Sequence, residues 1–189
     1  MLETRQVSEE VLFTTQDLTR VTSQDIETLK QRALQTRRRR IRLCAHQDVS
    51  AAVHEMLIIH AKDAYVPPHK HVGKEESLHL IEGVINVLIF GEDQSVRDVI
   101  PMGDYASGRT FYYRLAGDVY HTLLIESAFA VFHEATSGPF RKADMVVAPW
   151  APAEDDLRAI TRFQEGLREL VDNPVSIPRA HERRAAERR

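Results

Sequence analysis

Tyr65-Val-Pro-Pro-His69-Lys-His71-Val-Gly-Lys-Glu75-Glu76-Ser-Leu-His79-Leu-Ile-Glu-Gly83 is the stretch on which the fold of this chain turns. Side chains of an extended segment alternate faces, so His69 and His71 project to the same side of a strand. If the chain turns through Val72-Gly73-Lys74-Glu75 and re-enters a sheet at Ser77-Leu78, the Glu76 carboxylate returns to the same spot. Two imidazole nitrogens and one carboxylate oxygen around a point suit Fe, Zn, Ni, Cu or Mn. A lone His-x-His is more often an exposed strand edge, and the glutamate and glycine in register with it carry the metal reading. His79 differs in parity from Glu76 and is expected to point away.

The spacing of His69, His71, Glu76 and Gly83 resembles the first metal motif of the cupin superfamily. That resemblance implies an all-β double-stranded β-helix, a jelly-roll-like barrel with the metal inside its mouth. Arg40-Ile-Arg-Leu-Cys44-Ala-His46, Val53 to His60, His121-Thr-Leu123, Phe132-His-Glu134 leading to Gly138-Pro-Phe140, and Ala148-Pro-Trp150-Ala-Pro152 narrow it. Together, over about residues 18 to 155, they resemble the WbuC-like cupin-fold metalloproteins, which implies a role around surface polysaccharide or other small-molecule biosynthesis.

The second cupin motif belongs at Gly117-Asp-Val-Tyr-His121, which makes His121 the implied fourth ligand. Three residues rather than two separate Gly117 from His121, and a β-bulge is one way to absorb the extra one. In Phe129-Ala-Val-Phe-His133-Glu134, only one of the last two residues can face the barrel interior. The resemblance favours Glu134, as a general base or a hydrogen-bonding partner of substrate, against a carboxylate paired with an arginine at the rim. Tyr65 shares parity with His69 and His71 and is expected to line the same cavity.

The 189 residues fit one domain of ordinary size. Four segments are expected: an N-terminal arm and helix over 1–40, the barrel over 41–150, a helix over 151–173 and a flexible charged tail over 174–189. Val11-Leu-Phe13 reads as a short strand that pairs with a sheet edge or with a neighbouring subunit. Thr22-Ser-Gln-Asp25 resembles a capping box opening a helix with Ile26, Leu29, Ala33 and Leu34 on one face. Arg37 to Arg40 would then be a solvated end complementing the helix dipole, or else an anion-binding patch. Val84 to Phe90 and Val96 to Ile100 read as a hairpin, with breaks at Pro101-Met-Gly103 and Ala106-Ser-Gly108 and a further strand over 109–115. Leu157, Ile160, Phe163, Leu167 and Leu170 form one helical stripe.

A net charge of −3 offers no general basic field for nucleic acid. No stretch approaches the roughly 18 apolar residues of a membrane span, and the N-terminus lacks a signal-peptide pattern, so a cytoplasmic location is expected. Cys44 cannot form an internal disulfide and reads as a core residue, and His46, His54 and His60 read as surface or satisfied core histidines. The expected cofactor is one divalent metal held by His69, His71, Glu76 and His121. Fe(II) is the first choice, since a closed zinc site would more often use cysteines, with Zn, Ni, Mn or Cu as alternatives. The expected activity is that of an oxygenase or isomerase of a small polar metabolite. The alternatives are a non-catalytic sugar- or metabolite-binding module and, behind it, a structural partner protein. Cupins often pair through edge strands, which implies a homodimer.

Overall fold

The computed structural model describes residues 2–173, so the expected tail at 174–189 lies outside the described residues. The chain opens with a hairpin of β1 (Thr4–Gln6) and β2 (Val11–Thr14), followed by helix α1 (Ser23–Ala33). The helix starts on the capping box: the Thr22 hydroxyl accepts from the Asp25 N–H at 3.3 Å, and the Asp25 carboxylate accepts from the Thr22 N–H at 2.8 Å. Such caps contribute about 1 kcal/mol each. The helix ends at Ala33, ahead of the arginine run, which forms a turn. Arg39, at φ 56°, turns back so that its Nη1 donates to the Leu34 carbonyl at 2.6 Å. The dipole-complementing reading therefore holds for Arg39, whereas Arg38 and Arg40 turn to carboxylates.

The remaining strands are β3 (Arg40–Cys44), β4 (Val53–Ala61), β5 (His69–His71), β6 (Glu75–Glu82), β7 (Val84–Phe90), β8 (Val96–Gly103), β9 (Tyr112–Ala116), β10 (Tyr120–Ile125), β11 (Phe129–Ser137) and β12 (Met145–Val147). Helix α2 (Leu157–Asp172) follows. Among the described residues they form a seven-stranded sheet, β1-β2-β3-β4-β11-β6-β9, and a five-stranded sheet, β12-β5-β10-β7-β8. Every pairing is antiparallel except that of β2 with β3. The sheets face each other across a core of Met56, Ile58, Leu78, Leu80 and Phe132 from one and Ile85, Val87, Leu123 and Ile125 from the other. This is the expected all-β, jelly-roll-like barrel.

Both outer faces are covered as well. Leu29 and Ala33 of α1 pack on Leu12, Ile41, Leu43, Ile59 and Val131, and Phe163, Leu167 and Leu170 of α2 pack on the side holding Leu88, Phe90 and Leu124. Burial on two faces explains why β7 and β10 read as continuous apolar runs without alternation. Three boundaries differ from the sequence reading. Strand β8 continues through Pro101 to Gly103 because it is an edge strand, where a missing N–H breaks no ladder bond. The chain instead turns at Asp104 to Gly108, and β9 begins only at Tyr112. Helix α2 starts at Leu157 rather than 151, where the Asp156 carboxylate accepts from the Ala159 N–H at 2.9 Å. No helix among the described residues is long and apolar enough to cross a membrane.

Gly83 joins β6 to β7 at φ +99°, and a Cβ there would lie 2.2 Å from the Phe129 carbonyl oxygen. Backbone conformation and backbone clash both exclude a side chain. Gly83→Ala is expected to lose at least about 2 kcal/mol of stability, measured by urea unfolding, and an unchanged midpoint would contradict this.

Candidate metal centre and its cavity

His69 and His71 leave β5 on one face, and His121 stands directly opposite His69 on β10. One ligand nitrogen from each of the three lies within 4.8 Å of the other two. Glu76 reaches them from β6 in the facing sheet, with Oε2 3.2 Å from His71 Nε2 and Oε1 3.0 Å from His121 Nε2. Gly73, at φ +66°, makes the intervening turn, and its N–H donates to the Asp118 carboxylate at 2.8 Å. That bond fastens the turn after His71 to the turn before His121. The extra residue of the second motif is taken up in that turn and not in a bulge. Gly117 sits at φ +114°, Val119 N–H donates to the Gly117 carbonyl at 3.0 Å, and the ladder from Tyr120 onward is unbroken.

His69 Nδ1 lies 2.9 Å from the Pro67 carbonyl and His121 Nδ1 3.0 Å from the Val119 carbonyl. A proton on each Nδ1 leaves the Nε2 of the ring as the coordinating atom, and carbonyls in this position also fix ring orientation. Burial, reinforced by the neighbouring imidazoles of His121 and His71, pushes His69 down to about 3, so it is neutral. Burial also acts to lower His121, but the hydrogen bond and charge of Glu76 outweigh it and hold this imidazole above its ordinary value. Glu76 shows the reciprocal balance: burial acts to raise it, while hydrogen bonds from His121 and His71 bring it well below the usual carboxylate range. An ionised carboxylate that draws a proton onto an imidazole draws a metal cation by the same field. Three imidazoles, one carboxylate and no thiolate fit a divalent ion of borderline hardness.

Tyr113, which the sequence does not assign to the site, donates its hydroxyl to Glu76 Oε1 at 3.4 Å. Burial, with the charge of Glu76, pushes this phenol well above its ordinary value, so it remains a donor. Its signal was parity along β9, and what the sequence lacked was the direction of that strand. Tyr65 departs from its expected place. Its hydroxyl donates to the Pro152 carbonyl at 3.1 Å, its ring meets Phe163 edge-on, and it is not part of the cavity wall. Parity failed because residues 65–68 precede the strand, which begins at His69.

His69 and His71 open onto a cavity of about 450 Å³ that Glu134 also lines. Burial and the charge of Glu76 raise the Glu134 carboxyl to about 7. No arginine forms an ion pair with it among the described residues, so the rim-pair alternative is not what the structure has. The thiol of Cys44, pushed up by burial, also lines the cavity. His79 is exposed and packs on Phe111. His46, half-buried, exchanges backbone contacts with Glu55 and stacks on His54 at 4.1 Å. His54 and His60 are buried but not satisfied: His54 Nε2 and His60 Nδ1 lack hydrogen-bond partners among the described residues, and both rings line the cavity. Burial next to Arg40 lowers His60 to about 3.

Residues 21–102 match the model of a domain of unknown function (DUF6016). No curated protein matches in sequence. Among solved structures, the chain is similar to protein SO0799 from Shewanella oneidensis, with 10% identity over 66% of this chain and 81% of that one and a TM-score of 0.49. It is also similar to the capsular polysaccharide assembling protein CapF from Staphylococcus aureus, with 10% identity, 53% and 29% coverage and a TM-score of 0.43. Oxalate decarboxylase from Bacillus subtilis gives 16% identity, 52% and 24% coverage and a TM-score of 0.43. This chain thus spans less than a third of the latter two, and none of these likenesses bears on the reaction.

Proposed function

We propose that the protein is a mononuclear metal-dependent enzyme that holds one divalent ion, Fe(II) in the first instance, through His69, His71, Glu76 and His121. Its reaction is that of an oxygenase or isomerase acting on a small polar metabolite of polysaccharide or secondary-metabolite biosynthesis. The observation that carries this reading is the convergence of three imidazoles and one carboxylate beside a cavity of about 450 Å³, within the range of small-molecule sites. A bound ion would supply Lewis acidity and, if iron, redox chemistry to a ligand entering from the cavity. The chain's own residues divide the remaining work. The Pro67 and Val119 carbonyls orient two imidazoles, Tyr113 steadies Glu76, and Glu134 holds or moves a proton at a carboxyl oxygen facing the cavity.

A non-catalytic binding module is the second reading. Glu134 favours the enzyme, because a carboxyl that lines the cavity beside the imidazoles, with no ion pair to an arginine among the described residues, is placed to exchange a proton with a ligand there. The test is elemental analysis of the purified protein, followed by anaerobic addition of nitric oxide, a dioxygen surrogate, to the Fe(II)-loaded form. About one equivalent of metal and a new nitric oxide-dependent absorption band are expected. Bound iron without that band would remove the dioxygen-dependent branch, and absence of any metal uptake would remove the whole reading.

A further inference from the structure

The far end of the cavity is basic, and its charges do not balance. Arg38 and Arg40 are committed: Glu10 lies 2.6 Å from Arg38 Nη2 and 3.1 Å from Arg40 Nε, and Glu154 adds contacts at 3.2 and 3.7 Å. Lys74 has Asp144 at 3.4 Å. Arg42 has no carboxylate among the described residues, although it lines the same cavity and is half-buried. Its Nε is enclosed from solvent with no acceptor. Arg141, the other cavity cation without a carboxylate, is exposed at the rim. A charged N–H withdrawn from water without an acceptor is costly, and an anion reaching the guanidinium from the cavity is the usual remedy.

Register places Arg42 relative to the metal end. Arg42 pairs with Ile58 on β4, and the next inward residue of that strand, Met56, pairs with Glu134 on β11. Arg42 and Glu134 are thus two strands apart across the sheet and one pleat apart along it, about 12 Å between Cα atoms. Both side chains line the space between. A ligand with its anionic group on Arg42 needs a skeleton of only roughly three to six carbons to present its other end to Glu134 and the imidazoles.

We infer that Arg42 anchors the carboxylate of a small organic acid, holding the acid across the cavity with its far end at the His69–His71–His121 cluster. The inference rests on the reading of this cavity as a substrate site and specifies its substrate class. The planar fork of arginine takes a carboxylate through two parallel hydrogen bonds. A monoanion balances Arg42 one for one, whereas the second charge of a phosphate dianion would go unbalanced at this end, because Arg38, Arg40 and Lys74 are already paired with carboxylates.

The test is isothermal titration of the metal-loaded protein with 2-hydroxy acids of three to six carbons, with their neutral amides, and with phosphate monoesters. At least one acid is expected to bind about tenfold or more tightly than its amide. Arg42→Gln brings the acid down to the amide's affinity with metal content unchanged, Arg42→Lys falls between, and Arg141→Gln has no effect. Equal binding of acids and amides, full affinity in Arg42→Gln, or binding of phosphate monoesters in place of the acids would overturn the inference. If Arg42→Gln fails to fold, the acid-against-amide comparison in the metal-free parent decides, since no ion is then present to chelate the acid, and equal binding there overturns the inference. Selective acid binding in a protein that takes up no metal would leave the anchor standing and remove the metal reading. Stoichiometric metal with no preference for acids would do the reverse.

Discussion

Replacing His121 by alanine is expected to leave less than about a tenth of the metal that the parent protein retains through purification and dialysis. Loss of even a residue that only orients a ligand typically costs 10- to 100-fold in metal affinity, and loss of a ligand itself should cost at least about that. In the metal-free protein the same Nε2 faces Glu76 at 3.0 Å, so the substitution removes both the coordinating nitrogen and the partner that holds the buried carboxylate before metal enters. Glu76→Gln should match it, since the amide removes the charge that draws the cation inward. His79→Ala serves as the control, because that imidazole is exposed on the opposite face of the strand carrying Glu76. Elemental analysis of the three variants decides. Full occupancy in His121→Ala would remove it from the ligand set, and equal loss in His79→Ala would mean that metal content follows stability and not coordination.

The second large effect is a stability difference that depends on pH. In metal-free protein the Glu134 carboxyl is raised from an ordinary 4.5 to about 7, chiefly by burial and then by the charge of Glu76. A raised folded-state value means that the folded protein binds this proton more tightly than the unfolded chain does. The associated stability is complete below pH 4.5 and is lost as pH rises through about 7. The loss amounts to about 3 kcal/mol for a shift of this size. Glutamine imitates the protonated form at every pH. Glu134→Gln should therefore equal the parent near pH 4 and exceed it by about 3 kcal/mol at pH 8, read by urea unfolding in the presence of a chelator. Parallel pH profiles would show that Glu134 is not buried as a proton carrier. In turnover, the same variant should lose roughly 10²- to 10⁴-fold while keeping its metal, as expected for a general acid–base group.

Much of this architecture was legible because it is local. The convergence of His69, His71 and Glu76 follows from alternation in a strand and one short turn, and the capping box of α1 from four consecutive residues. Glu134 was separable from His133 by alternation once the resemblance chose its face. Tyr65 was misplaced because parity holds only inside a strand, and the strand starts four residues later. The break expected at Pro101 required knowing that β8 is an edge strand, a property of sheet order and not of the residue. The histidines of β4 and the arginines of β3 read as bland because their meaning depends on pairing. Arg40, Arg42, His54 and His60 gather on one wall only when β3, β4 and β11 come into register. That a charge lacks a partner emerges only once its neighbours are in place.

The parallel addition of β2 to β3 has a consequence for how the molecule is put together. Val11 and Phe13 of β2 help wall the end of the cavity where Arg42 stands, while the imidazoles come from β5 and β10 on the other sheet. On the proposed reading, the metal end and the recognition end draw on different stretches of chain, and the wall around Arg42 takes part of its surface from the first fourteen residues. Substitutions in that N-terminal hairpin can reshape what fits the cavity without touching a metal ligand, so selectivity and metal chemistry are free to diverge separately in evolution and in the laboratory.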